Sequence, residues 1–191
     1  MDYKIRQGQR KLKISLLELR KMGIFEEIEP PSVVYHMTDE ENLQSILSDG
    51  KIKTFNDFVT FFFPDVKSMF VYIRLSDALH GKKYYNTDNK LVTAPPLDIE
   101  HTVLLKLVPR HEEKLKWYRE IVSPDNQSEA TIREQMKIIL DLFNQCKIVH
   151  YGNFAFRTDS VEVTRLKDMY DNIPQDVQKL LDWINTQQRA Q

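Results

Sequence analysis

Hydrophobic and polar positions are most clearly patterned between residues 32 and 52. The run Ser32–Met37 is rich in β-branched and aromatic residues, which favour extended backbone. Pro30 and Pro31 precede it, and the residue before a proline is disfavoured in the helical region. The pattern therefore predicts a strand that begins just after the two prolines.

A helix is predicted immediately after this strand. Thr38 and Glu41 have the three-residue spacing of a capping box, in which each side chain bonds a free backbone N–H of the first turn. The residues that follow place one apolar stripe on a helix face: Leu43, Ile46 and Leu47. Gly50 is a natural stop, since glycine readily adopts the left-handed conformation that ends helices.

Further strands are expected along the chain. Their segments are Val59–Phe63, Met69–Leu75, Thr102–Val108, Lys147–Phe156 and Ser160–Leu166. Thr102–Val108 is almost entirely apolar, which suits a strand buried on both faces. The last two segments are expected to pair with each other near Gly152. Ser76 is expected to cap a brief helix that ends at Gly81.

Three more helices complete the expected architecture. Leu12, Leu16, Leu19 and Met22 recur at helical spacing before Gly23, a second stripe runs through Ser128–Cys146, and Pro174 opens a closing helix. The chain is thus predicted to be α+β, with a mostly antiparallel sheet flanked by helices. Residues 1–31 form a basic helical extension in this scheme, and residues 32–191 form the main domain with the closing helix.

Composition places the chain among globular proteins. Its 191 residues are 41% hydrophobic and 29% charged, which is enough for one domain with its own core. Cys146 is the only cysteine, so it allows no intramolecular disulfide and fits a reducing compartment. No apolar run approaches the length of a membrane span. We therefore expect a cytoplasmic protein without a membrane partner.

Charge is balanced along the whole chain but not at its start. The net charge is −1, yet the first 23 residues carry two acidic side chains against seven basic ones: Lys4, Arg6, Arg10, Lys11, Lys13, Arg20 and Lys21. One interpretation is a docking helix with a solvated basic face. The other is a patch that attracts the phosphates of a nucleic acid or a dinucleotide.

His36 is the first candidate for chemistry. Strand alternation places it on the side of Val34, while Tyr35 points the other way. It also lies near the strand end, where a side chain can reach a ligand above the sheet. The alternative is a structural histidine bonded to the backbone, which is how most buried polar groups are satisfied.

These residues resemble a known family. The run Tyr35-His36-Met37-Thr38, with Asn42-Leu43, Ile46-Leu47 and Gly50 after it, resembles the opening motif of the ADP-ribosyltransferase fold. It is closest in style to the toxin-type bacterial DNA ADP-ribosyltransferases and the RNA 2'-phosphotransferases. The resemblance implies a split sheet and a His36 that holds the nicotinamide-side ribose of NAD, with Thr38 beside it.

Two further family elements are matched in order. Met69–Arg74, Ser76 and Tyr84 are similar to the second element of the His-Tyr-Glu subgroup, where a tyrosine stacks on nicotinamide, and this resemblance implies cofactor-binding roles for them. Tyr72 and Tyr85 compete with Tyr84 for that role, and ordinary aromatic packing is the alternative for all three.

The third element is a glutamate on a late strand. Departing nicotinamide leaves an oxocarbenium-like centre, which a fixed carboxylate stabilises more than it stabilises the ground state. Glu162 is slightly preferred because it lies in an alternating strand pattern, and Glu120 is the rival.

The resemblance implies an NAD-dependent transferase of the glycosyltransferase class. Such a toxin-like enzyme would move ADP-ribose to a macromolecular acceptor, nucleic acid or protein, and release nicotinamide. The alternative is a catalytically inactive binding or inhibitory module of the same fold, such as a phage or mobile-element accessory protein. No metal is expected, because the remaining histidines lack ligand spacing and the motif HExxH is absent.

Overall fold

The fold is taken from a computed structural model that describes residues 25–54, 59–85, 91–110, 117–120 and 146–176. Its strands are β1 (Phe25–Glu27), β2 (Val34–Asp39), β3 (Lys51–Ile52), β4 (Val59–Phe62), β5 (Lys83–Tyr85), β6 (Leu91–Thr93), β7 (Thr102–Leu107), β8 (Trp117–Glu120), β9 (Ile148–Tyr151), β10 (Phe154–Ala155) and β11 (Glu162–Arg165). Its helices are α1 (Glu40–Asp49), α2 (Val66–Leu79) and α3 (Leu166–Met169), with 3-10 turns at Thr158–Ser160 and Tyr170–Asn172.

Every pairing between the described strands is antiparallel. Four strands form one sheet in the order β1-β8-β9-β4, and three form another in the order β11-β7-β2. The pairs β3–β10 and β5–β6 are shorter. The two larger sheets meet at a bridge in which Tyr35 and Phe63 exchange backbone hydrogen bonds of 2.9 and 2.8 Å. The described part of the chain is thus α+β with mostly antiparallel sheets, as predicted.

Side chains from the joined sheets pack on two sides. One side, here the α1 face, holds Val34, Phe62 and Leu105, and the apolar stripe of α1 packs on it through Leu43 and Ile46. The other side, here the α2 face, is covered by the buried residues of α2, and the sheet contributes Tyr35, Met37, Phe63 and Leu104 to it. Alternate residues of β7 enter the two clusters, which confirms that this strand is buried on both faces.

The prediction of a strand at Met69–Leu75 is wrong, because this segment lies inside α2. Asp65 caps the helix by accepting the Ser68 backbone N–H at 2.8 Å. The helix buries residues on most of its circumference, namely Ser68, Met69, Val71, Ile73, Arg74, Leu75 and Leu79. A helix buried this widely shows no single apolar stripe, so its sequence is hard to distinguish from a buried strand. Ser76 consequently lies within α2 and caps no separate helix.

The capping box predicted at Thr38 is also wrong. Thr38 belongs to β2, and Asp39 occupies the N-cap without a side-chain hydrogen bond. The first turn is instead anchored by the Glu40 backbone N–H, which donates to the His101 carbonyl at 2.7 Å. The helix stop is confirmed, since Gly50 adopts a φ of 58° in the left-handed region.

The closing strands exist but do not pair with each other as predicted. β9 lies between β4 and β8, whereas β11 lies beside β7. Gly152, with a φ of 82°, separates β9 from β10. The residues before Pro30 contribute β1, and no strand was predicted there.

Several predicted elements fall outside the described residues. They are the helix at residues 12–22, the stripe predicted at residues 128–146 except Cys146, and the closing helix predicted from Pro174 except residues 174–176. Those three residues are not helical, so a helix does not begin at Pro174. No helix in the described part of the chain is long and apolar enough to cross a membrane.

Candidate functional site

His36 lies on the α1 face of β2, on the same side as Val34, as strand alternation predicts. Its ring is half-buried and packs against Phe62 with 5.4 Å between ring centroids. Thr38 is the next residue on this face and is also half-buried. The structure therefore brings these two candidates together.

The ring of His36 occupies a break between β2 and β4. Tyr35 and Phe63 exchange both backbone hydrogen bonds between β2 and β4. In an antiparallel ladder every second residue points its N–H and C=O toward the same neighbour, so the backbone groups of Met37 and Phe61 also point into the space between these two strands. β2 and β4 form no ladder beyond that bridge. Instead, His36 Nδ1 lies 3.0 Å from the Phe61 carbonyl oxygen. The side chain thus takes the place of a backbone donor.

This contact fixes the state of the imidazole. A carbonyl oxygen can only accept, so the hydrogen of the ring lies on Nδ1. Burial lowers the pKa of His36 below its usual value, and the Phe61 hydrogen bond opposes this only in part. The ring is consequently neutral at pH 7. Its Nε2 is then a hydrogen-bond acceptor, and no described residue bonds to it.

An aromatic cluster that sequence reasoning missed extends from His36. Phe62 contacts Trp117 and Phe154, with 5.5 and 4.6 Å between ring centroids. Trp117 meets the buried ring of His150 edge-on at 4.9 Å, and Trp117 Nε1 is buried without a hydrogen-bond partner among the residues that the structure describes. The apolar pattern of β4 and β9 was the available signal, but it did not show that these strands adjoin the break.

Glu162 lies on the opposite face from His36. Its carboxylate is 2.6 Å from Lys106 Nζ, and this ion pair raises the pKa of Lys106. The register pairs Glu162 with Lys106 and Lys106 with Tyr35, so all three share the α2 face. Two strand spacings, about 10 Å, also separate β11 from β2. The structure does not bring Glu162 to His36.

The residues proposed for the second family element lie on the α2 face or have side chains outside the described residues. Tyr72 packs on Phe63 with 5.1 Å between ring centroids, and Ser76 donates from Oγ to the Tyr72 carbonyl at 2.9 Å. Both residues belong to α2, so neither adjoins His36. The backbones of Tyr84 and its competitor Tyr85 form β5, but their side chains lie outside the described residues.

Glu120 is the last residue of β8, and its backbone pairs with Phe25. Its side chain lies outside the described residues. β8 is separated from β2 by β9 and β4, so the Glu120 backbone is at least as remote from His36 as that of Glu162.

Among the described residues, neither a metal site nor a reactive thiol is present. Within them, no three His, Cys, Asp or Glu side chains cluster as metal ligands do. Cys146 is buried, and that burial raises the pKa of its thiol to about 12. The thiol is therefore protonated at neutral pH and packs as a small apolar group.

Comparison with protein-family models, curated proteins and solved structures finds no match. The resemblance to ADP-ribosyltransferases therefore rests on the residues of the chain itself.

Proposed function

We propose that this chain is an NAD-dependent ADP-ribosyltransferase that binds the nicotinamide-side ribose of NAD at His36. In such a reaction the bond between the ribose C1' and the nicotinamide nitrogen breaks, and its electron pair leaves with nicotinamide. A nucleophile of a nucleic acid or protein then bonds to C1' and loses a proton. The observation that carries the proposal is the state of His36 at the break between β2 and β4.

A neutral imidazole held in one tautomer is suited to bind a sugar hydroxyl. Because Nδ1 is engaged by Phe61, Nε2 is the ring nitrogen left to accept a hydroxyl hydrogen, and it gives up no hydrogen bond to a described residue in doing so. Fixing the ring in advance also lowers the entropy lost on binding. Thr38, on the same face, offers a hydroxyl nearby.

The backbone groups in the break suit the carboxamide of nicotinamide. The Phe61 carbonyl already accepts from His36, but the Phe61 N–H and the backbone groups of Met37 also point into the gap, where the ladder between the described strands does not pair them. A carboxamide carries both a donor and an acceptor, so it can replace the missing pairing on one side.

The reaction also requires a carboxylate near the ribose. Glu162 is paired with Lys106 on the α2 face, so a ribose held by His36 is out of its reach in this arrangement. This observation favours a second candidate function, namely an NAD-binding or inhibitory module of the same fold that does not cleave the glycosidic bond. Glu120 is the other carboxylate that an experiment must test.

The test measures NAD binding by calorimetry and nicotinamide release by chromatography on the full chain. The variants are His36→Ala, Glu162→Gln and Glu120→Gln. His101→Ala is the matched control, because His101 is exposed and its ring bonds Asp98 on the protein surface. Circular dichroism verifies that each variant is folded.

Each outcome has a defined meaning. Release that is lost in His36→Ala, retained in His101→Ala and reduced in one glutamate variant supports the transferase. Binding without release, again lost in His36→Ala, supports the non-catalytic module. Release or binding that persists unchanged in His36→Ala removes the site, and the absence of both in the unmodified chain overturns the NAD proposal.

A further inference from the structure

A second surface, on the outer side of β3 and β10, carries positive charge that no described acidic side chain pairs. The segment 108–110 extends the β3–β10 pair, because the Arg110 N–H donates to the Ala155 carbonyl and the Arg157 N–H donates to the Val108 carbonyl, at 3.3 and 3.0 Å. Lys51 pairs with Ala155 on the other side of β10. Lys51, Ala155 and Arg110 therefore form one cross-strand row.

The register fixes which way this row points. Ile52, Phe154 and Phe156 are buried in the cluster of the α1 face. Their neighbours along each strand therefore project to the opposite side, away from that core. The side chains of Lys51 and Arg110 are exposed there and flank the small side chain of Ala155.

Four cations share this outward side, but they differ in their partners. Lys53 pairs with Asp49, and Arg157 pairs with Asp159, each at 3.1 Å. In the described part of the chain, no acidic side chain pairs with Lys51 or Arg110. Among the described residues, this side thus contains two cations that are paired with a carboxylate and two that are not.

Arg110 is also positioned. Its Nε donates to the Phe156 carbonyl at 3.1 Å, and one terminal nitrogen lies 3.7 Å from where a Cβ on Gly50 would stand. The guanidinium is therefore held across β10, and its terminal N–H groups make no hydrogen bond to any residue that the structure describes. A guanidinium fork fixed in this way matches the oxygens of a phosphate, and a nearby ammonium adds a second contact.

We propose that Arg110 and Lys51 form a phosphate-binding site over Ala155, separate from the site at His36. Its ligand is a phosphate group, either free or part of a nucleic-acid backbone. The inference goes beyond the proposed function, since it involves neither NAD cleavage nor any residue of the break.

The first arm of the test titrates inorganic phosphate into the labelled full chain and follows the backbone amide signals of Ala155 and Phe156 by NMR. We expect saturable shifts that Arg110→Ala and Lys51→Ala each weaken about tenfold, the size of one charge-assisted hydrogen bond. Lys53→Ala and Arg157→Ala are the matched controls, because their charges are already paired, and they should change affinity less than twofold.

The second arm distinguishes the two sources of phosphate. Binding of a labelled single-stranded oligonucleotide is measured by anisotropy at several salt concentrations. A nucleic-acid backbone is identified if the oligonucleotide binds much more tightly than phosphate. The slope of log affinity against log salt concentration should then become shallower by about 1.4 when both Lys51 and Arg110 are replaced by Ala. Affinity no greater than that for phosphate identifies a free phosphate or nucleotide.

The proposal is overturned if phosphate causes no shift, or if the paired cations matter as much as the unpaired ones. Arg110→Ala could also perturb the fold through the lost Phe156 contact. Lys51→Ala has no such contact in the described structure, so its effect decides the matter.

Discussion

His36 Nδ1 donates a hydrogen bond of 3.0 Å to the carbonyl oxygen of Phe61 at the point where β2 and β4 stop pairing. A strand edge normally satisfies such a carbonyl with a backbone N–H from its neighbour. Here a side chain satisfies it, so the break can stay open without leaving that acceptor unpaired. The same bond orients the imidazole, which links the structure of the break to its proposed chemistry.

The lowered pKa of His36 predicts a loss of stability in acid. The folded state binds the proton less readily than the unfolded state, so unfolding takes up a proton once the pH falls below the unfolded value near 6.5. This group should remove at most about 1.4 kcal/mol per pH unit, until the pH passes the folded pKa. Urea unfolding at pH 7 and pH 5 measures the fall, which should be smaller for His36→Gln.

His101 provides a control of opposite sign. Its exposed ring pairs with Asp98, which raises the pKa of His101. The stability it contributes is present in acid and disappears as the pH rises through the folded pKa. His101→Gln should therefore steepen the loss of stability between pH 7 and pH 5. If both variants shift the pH profile in the same direction, the assignment for His36 is wrong.

The sequence predicted the orientation of His36 but not that of Glu162, for a physical reason. The face of His36 follows from alternation within one strand, relative to the buried Val34. The face of Glu162 depends on its register against Lys106 of β7, and a slip of one residue would transfer it to the α1 face. The pattern within one strand does not determine that register. The sequence could therefore suggest a site made of a histidine, a tyrosine and a glutamate, but it could not predict whether the three side chains share one face.

The same distinction explains the fold. The strands at Val34–Asp39, Val59–Phe62 and Thr102–Leu107 have a composition that favours extended backbone, and they were predicted with ends within two residues of these. α2 was missed because contacts with both the sheet and the segment after α3 bury most of its sides. Its cap at Asp65 was the one local signal. Tertiary burial removed the helical stripe that prediction uses.

Arg74 is expected to be the polar side chain of α2 that matters most for stability. It is 8% exposed, and its guanidinium donates to the carbonyls of Tyr170, Ile173 and Pro174 at 3.0, 2.6 and 3.3 Å. It also pairs with Asp77 at 3.1 Å. Arg74→Ala removes the guanidinium donor of the buried Ile173 carbonyl and of the Pro174 carbonyl and leaves Asp77 without this cation, whereas Tyr170 keeps the Ile173 N–H. The loss should cost about 3–5 kcal/mol of unfolding free energy in urea.

Two variants separate the network of Arg74 from its charge. Arg74→Lys keeps the charge but cannot reach all three carbonyls, so most of the loss should remain. Arg165→Ala breaks an exposed pair with Glu40 and should cost under about 1 kcal/mol. A loss for Arg74→Ala no larger than that for Arg165→Ala would show that the carbonyls are satisfied in another way.

Gly50 combines two constraints that can be measured separately. Its φ of 58° disfavours any side chain, and an added Cβ would stand 3.2 Å from the Thr158 methyl group. Gly81 has a similar φ of 75° but open space around the Cβ position. Gly81→Ala should therefore cost only the backbone term, about 1–2 kcal/mol. Gly50→Ala should lower the unfolding free energy further, because of the contact with the Thr158 methyl group. Adding Thr158→Ser to Gly50→Ala removes that methyl group, so the double variant should recover this further loss in urea unfolding. Equal losses for the two glycines would mean that the 3-10 turn at Thr158–Ser160 moves away from the end of α1 without cost.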